Sequence, residues 1–137
     1  MNYWIGVVGS SVSYERLVQG GDKSWFCLPS GSMVGDTILI YLTIGVAKSK
    51  SGIFAEYKVV QKDASKNSEC RKYGTGNVAL TYVEMKKIKE LKSRVKMKKM
   101  REDPFLKEVG FVRRQGQGTY FMISEDVYKE ILDLSEK

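Results

Sequence analysis

The sequence predicts an α+β fold, a curved antiparallel sheet or small β-barrel with short helices around it. Three features lead there. Runs of β-branched and aromatic residues are separated by Gly-, Ser- and Asn-rich turns. The helical stretches are short and begin at Ser or Asp caps. No strand–helix–strand rhythm of the kind that builds a parallel sheet runs through the chain. With 137 residues and no interdomain linker, the chain reads as a single domain, 1–137, long enough to bury a core.

Tyr3 to Gly9 is rich in β-branched and aromatic residues and reads as the first strand. Ser10, Ser11 and Ser13 are each able to cap the helix that follows, which reaches Gln19 and stops at Gly20. Trp25 to Leu28 is extended. Thr37 to Thr43 is a buried strand with continuous apolar character, and Ile53 to Gln61 returns antiparallel after a polar loop over Gly45 to Gly52. Asp63 to Gly76 has the composition of a surface loop, and Val78 to Glu84 is the next strand. Met85, Ile88, Leu91 and Val95 then recur at helical spacing, which predicts a basic amphipathic helix from Lys86 to about Lys99. Asp103-Pro104 opens a short helix that Gly110 closes. Phe111 to Arg114 and Tyr120 to Ile123 read as two short strands around Gln115-Gly116-Gln117-Gly118. Ser124 caps a last helix with Val127, Ile131 and Leu134 inward.

Composition narrows the chemistry. The chain has no histidine, which removes Ser-His-Asp and Cys-His catalysis, most zinc hydrolase sites and the His/Cys/Cys deaminase site. No catalytic residue, metal site or cofactor is expected, and the chain reads as a non-enzyme. Cys27 and Cys70 form neither a metal-type pair nor a disulfide framework. No apolar run is long enough to span a bilayer and no signal peptide opens the chain, so the expected setting is reducing and cytoplasmic, with no membrane partner. The net charge is +7, and Lys86 to Arg114 alone holds 12 basic and 4 acidic residues. A basic region on a balanced body is the footprint of a nucleic-acid binder, and equally of a solvated lysine-rich face.

A base-binding pocket needs aromatic walls, fixed donors and acceptors for the base edge, and positive charge for phosphate. Trp25 is the first candidate wall, set among Gly and Pro punctuation, where binding groups concentrate. Tyr82, at a strand end, is either a facing wall or ordinary sheet packing, and Trp4, inside the first strand, is either core or a third wall. Ser10 and Ser11 offer hydroxyls to the base edge unless capping uses them. Arg113, Arg114, Gln115 and Gln117 form the densest hydrogen-bonding cluster, suited to phosphate and to a base edge, although a surface turn explains the glycines equally well. Lys86, Lys87, Lys92, Lys96 and Lys99 would supply the salt-sensitive part of binding.

At these residues the chain resembles the PUA-like superfamily, specifically EVE and YTH domains, over almost its whole length. Asn2-Tyr3-Trp4-Ile5-Gly6-Val7-Val8, Gly35-Asp36 before an Ile-Leu-Ile-Tyr strand, and Phe111-Val112-Arg113-Arg114-Gln115 with Ile123-Ser124-Glu125-Asp126 are similar to EVE segments. Trp25-Phe26-Cys27-Leu28-Pro29 looks like the YTH Trp-x-x-Leu-Pro segment, and Ser51-Gly52-Ile53-Phe54 like its Ser-Gly-x-Phe turn. The resemblance implies Trp25 as first cage wall, Tyr82 where YTH proteins place a second Trp, and Ser10 and Ser11 as pocket residues. The chain departs in having Tyr for that Trp, in lacking the Asn usual after the first strand, and in lacking the EVE Trp-x-Gly-Val-Arg-Asn motif.

The implied function is reading a modified base, N6-methyladenine or a 5-modified cytosine in DNA or RNA, flipped into an aromatic pocket. Such modules also target modification-dependent restriction systems of the McrBC type, where a separate motor and nuclease act. The alternatives are a PUA-like RNA-binding domain without modified-base specificity, a small-ligand or protein-interaction domain, and a PUA-related hydrolase.

Overall fold

A computed structural model describes residues 1–46, 48–73 and 79–137. Its centre is one six-stranded sheet of β1 (Tyr3–Val8), β2 (Lys23–Pro29), β3 (Thr37–Leu42), β4 (Gly52–Lys62), β5 (Leu80–Val95) and β6 (Tyr120–Ile123), in the spatial order β2-β5-β4-β3-β1-β6. Around it lie the helices α1 (Ser11–Gln19), α2 (Met97–Glu102), α3 (Gly110–Arg113) and α4 (Glu125–Ser135). The sheet is mixed: β1 pairs with β3 in parallel, and the other pairs are antiparallel. An all-antiparallel reading fails there because α1, β2 and the turn behind it return the chain to the end from which β1 started. The loop predicted over Gly45 to Gly52 joins β3 to β4, with residue 47 outside the described residues. So are 74–76 of the predicted surface loop and Val78, the expected start of β5. The described part of that loop is a run of 3-10 turns, Ala64–Tyr73.

Alternation along β1 and β3 sends side chains to two separate cores. Ile5, Leu39 and Tyr41 meet α2, α3 and α4 on one face, whereas Trp4, Ile38 and Ile40 fill the concave face with Phe26 and Leu17. Burial on both faces explains why β3 is continuously apolar. The sheet curls until edge strand β2 reaches β1: a Cβ built on Gly6 would lie 2.9 Å from Phe26 Cζ. Glycine at that position is what lets the two strands close.

Local signals held at the caps. Ser10 Oγ accepts from the Ser13 N–H and Ser124 Oγ from the Val127 N–H. Asp103 accepts from the N–H groups of Phe105 and Leu106, but the helix expected from there to Gly110 is only a 3-10 turn, Leu106–Glu108, and Gly110 begins α3 rather than closing a helix.

Three further expectations are overturned. The basic stretch from Lys86 is strand, not helix, as far as Val95. Met85 packs into the concave core whereas Leu91 and Val95 pack into the other one, so the three form no single stripe, and Ile88, which completed the helical pattern, is 51% exposed. Bulges opposite Glu56 and Ile53 blur the alternation further. Phe111 to Arg114 is helix, because Val109 and Gly110 carbonyls accept from the Arg113 and Arg114 N–H groups. Finally, Cys27 and Cys70 form a disulfide with Cα atoms 5.6 Å apart, both side chains buried. Their separation of 43 residues gave no sign of this, because the fold alone brings the Ala64–Tyr73 segment beside β2.

Among the described residues no helix is long and apolar enough to cross a membrane, and no group of three His, Cys, Asp or Glu is placed to hold a metal.

Candidate nucleic-acid interface

The closing seam between β1 and β2 leaves a cavity of about 620 Å³, within the range of small-ligand pockets. Its walls are the end of β1, the first turns of α1 with Ser10, Ser13 and Arg16, Trp25 and Phe26 of β2, and Thr43 and Ile44 after β3. The turn 115–119 forms the rim. No Asp or Glu lines it.

The rim has a demanding backbone. Gln115, Gly116 and Gly118 have φ values of 53°, 75° and 144°. A Cβ on Gly116 would lie 2.7 Å from Tyr41 Cε2, so the turn lies flat on the tyrosine ring only because that residue is glycine. Gln115, a non-glycine in left-handed conformation, is the kind of backbone strain that collects at functional sites. Of the four residues in the predicted polar cluster, Gln115 and Gln117 line the cavity. Arg113 and Arg114 are exposed outside it, Arg114 stacking 5.9 Å over Phe121.

Trp25 lines the cavity, but not as one half of an open cage. Its ring stacks on Tyr82 with centroids 4.8 Å apart and planes 18° from parallel. A base held between two rings needs two layers of contact at about 3.5 Å each, so this pair is closed. Burial, the neighbouring Glu84 and Asp63 raise the Tyr82 phenol pKa against the pull of Lys66 and Arg16. The other face of Trp25 carries the Arg16 guanidinium 3.8 Å from the ring centroid, and Arg16 Nη2 also donates to the Trp25 carbonyl at 3.4 Å. Arg16 Nε is buried and has no partner among the described residues. Lys66 lies 5.4 Å over the far face of Tyr82, completing a column of Arg16, Trp25, Tyr82 and Lys66. A shallower hollow of about 350 Å³ lies against Tyr82 and the Ala64–Tyr73 segment.

The remaining expected pocket residues are placed differently. Trp4 is 3% exposed and belongs to the core, its indole N–H donating to Asp36 Oδ2 at 2.9 Å. The aromatic run in β1 did not separate core from site. Ser11 is exposed on α1 and does not line the cavity. Ser10 does, and although its oxygen caps α1, its O–H is still free to donate.

None of the five expected lysines lines the cavity. Lys87 pairs with Glu90 at 3.2 Å, Lys96 reaches the Ser49 carbonyl and Lys99 the Leu134 carbonyl, while Lys92 is exposed. Lys86 is different. In the β2–β5–β4 register it stands directly beside Lys23 and Lys58, all three exposed. Like charges opposite one another in a sheet are destabilising, so a row of three asks for an anionic partner. Sequence reasoning missed Lys23, Lys58 and Arg16. The first two needed the strand register, and Arg16 read as an ordinary helix-surface residue.

Three comparisons complete the picture. The EVE domain family model matches residues 2–134, and the chain belongs to that family. No curated protein sequence matches the chain significantly. A crystal structure of a Pseudomonas syringae protein is similar to it at 12% identity and a TM-score of 0.70, covering 97% of this chain and 99% of that one. Human THYN1, solved in complex with DNA containing 5-methylcytosine, is similar at 12% identity and a TM-score of 0.62, covering 100% of this chain and 99% of the other. The ASCH protein of Zymomonas mobilis is similar at 10% identity and a TM-score of 0.63, covering 98% and 99%. At these identities the likeness is one of fold, a curled half-barrel with flanking helices.

Proposed function

We propose, from this EVE-family membership, that the chain is a non-enzymatic reader of nucleic acid that takes a single modified base, flipped out of its strand, into the β1–β2 cavity. The observation that carries the reading is the cavity itself. It combines an aromatic–guanidinium wall, Trp25 with Arg16, with the side chains of Ser10, Gln115 and Gln117, and no acidic lining. An aromatic wall holds the flat face of a base, and Ser and Gln groups meet its edge. The THYN1 complex favours 5-modified cytosine over N6-methyladenine as the ligand. Lys23, Lys86 and Lys58 would hold the backbone, joined by Lys92, Arg113 and Arg114.

In this reading the chain selects a target in the cytoplasm for a motor and nuclease of a modification-dependent restriction system that lie outside it. The Cys27–Cys70 disulfide would be exposed to reduction there.

The test is fluorescence anisotropy with matched DNA and RNA oligonucleotides carrying cytosine, 5-methylcytosine, adenine or N6-methyladenine, single and double stranded, at two salt concentrations. A tenfold or greater preference for one modified base, lost in Trp25→Ala, is the expected outcome. Equal, salt-sensitive binding to every oligonucleotide, indifferent to Trp25→Ala, would leave only a basic RNA- or DNA-holding domain.

A further inference from the structure

The cavity contains a fixed positive charge that has no ion-pair partner among the described residues. Arg16 projects from α1 onto Trp25, Tyr82 backs the indole from the other side, and the guanidinium is held 3.8 Å from the ring centroid. Among the described residues it donates to the Trp25 carbonyl, its buried Nε has no partner, and no carboxylate lines the cavity. An arginine stays protonated at any working pH and offers donors only. Any ring that enters meets this cation, whether it stacks on the guanidinium plane or turns it aside to reach Trp25.

An aromatic cage without such a charge behaves in the opposite way. Bare indole and phenol faces attract cations through the ring quadrupole. Here that attraction is already spent on Arg16 and Lys66, at the two ends of the column. The same aromatic pair that would welcome a positively charged ring in another protein is set to refuse one in this chain.

Resting on the base-pocket reading above, we propose that Arg16 is a specificity-determining residue that restricts the cavity to neutral, acceptor-rich bases and excludes methylated bases that carry a positive charge. Methylation at C5 of cytosine leaves the ring neutral, with O2 and N3 as adjacent acceptors for a donor-only side chain. Methylation at N3 gives a ring of the same composition that is cationic near neutral pH and has lost the N3 acceptor. A cation brought against a half-buried guanidinium that has no ion-pair partner among the described residues is repelled more strongly than in bulk water.

The isomer pair makes the test. Single-stranded oligonucleotides of one sequence, with cytosine, 5-methylcytosine or 3-methylcytosine at the centre, are titrated against the native chain, Arg16→Lys and Arg16→Gln. Single strands are used because an N3 methyl also breaks pairing and would ease flipping from a duplex. The native chain should bind the 5-methyl strand at least tenfold more tightly than the 3-methyl strand. Arg16→Lys should keep most of that ratio, and Arg16→Gln should reduce it to about threefold or less, partly by gaining affinity for the cationic base. Thermal melts establish that each variant is folded. A ratio that survives in folded Arg16→Gln would overturn the inference and assign the discrimination to shape or to the lost acceptor, with the reader function intact. No discrimination between the two methyl isomers by a native chain that prefers 5-methylcytosine to cytosine would overturn it as well. If the native chain prefers neither methylated strand to cytosine, the base-pocket reading fails, and the inference with it.

Discussion

Trp4 and Trp25 are the only two tryptophans in the chain, and they occupy opposite situations. Trp4 lies on β1 with 3% of its surface exposed, packs edge-on against Tyr120, and donates its indole N–H to Asp36. Asp36 accepts in addition from the backbone N–H groups of Asn2 and Met33, both at 2.9 Å. Burial alone would raise the Asp36 carboxyl pKa, but these donors together hold it below its ordinary value of 3.8. Trp25 lies on edge strand β2, half-buried, with its ring faces taken by Arg16 and Tyr82. One tryptophan is fixed by its edge, through a hydrogen bond to a carboxylate that also ties the start of β1 to the turn before β3. The other is fixed by its faces, beside a cavity. A ring held by its N–H serves the fold, and a ring held by its faces serves the cavity, where it fixes the Arg16 guanidinium that an entering molecule meets.

Trp4→Ala should have the largest effect, about 4 kcal/mol of stability by urea unfolding, since it empties a buried ring site and removes one of the Asp36 donors. Asp36→Ala should cost about 3 kcal/mol, because several donors lose their partner at once. The native chain carries the matching pH signature. With the folded pKa depressed, the Asp36 contribution is complete above pH 3.8 and is lost as pH falls below it through the folded value. A melting profile flat across that range would remove Asp36 from its role as anchor. On the Trp25 side, reducing the Cys27–Cys70 disulfide or making Cys70→Ser should lower stability by about 3 kcal/mol, within the range typical of a native disulfide. Melts with and without reductant read this directly.

Trp25→Ala sharpens the contrast further. It should weaken binding of the preferred base by about 1–3 kcal/mol while unfolding the chain far less than Trp4→Ala does. If the two variants unfold equally, the distinction between edge-held and face-held rings is wrong. The smallest effect belongs to Lys86→Ala, which should leave stability unchanged or slightly raised by relieving repulsion in the lysine row, and lower the slope of log affinity against log salt by about 1.

What the sequence made legible follows the reach of each signal. Caps act over three residues, so Ser10 and Ser124 were readable, as was the inward stripe of α4. β5 was not, because its register against β4 shifts at three points and its Lys-rich outer half leaves few apolar residues to count. Trp25 and the Gln115–Gly118 turn stood out from their local chemistry, but the walls they form did not. Tyr82 as a backing ring needs the β2–β5 register, Arg16 on the Trp25 face needs the packing of α1 on β2, and Cys70 beside Cys27 needs the placement of the Ala64–Tyr73 segment. The lysine row is hidden for a related reason, since Lys23, Lys58 and Lys86 become neighbours only through strand register.

The near contact of Gly6 with Phe26 acts as a gauge for the cavity. Since a single added carbon at residue 6 would push the Phe26 ring, and β2 with it, away from β1, the width of the mouth is set by an atom that is absent. Gly6→Ala would therefore be expected to widen the opening by displacing Phe26 while leaving the chemical identity of every lining group unchanged. In a family that shares the half-barrel, side-chain size at this one point offers a way to change the diameter of guest admitted while the reading groups stay the same.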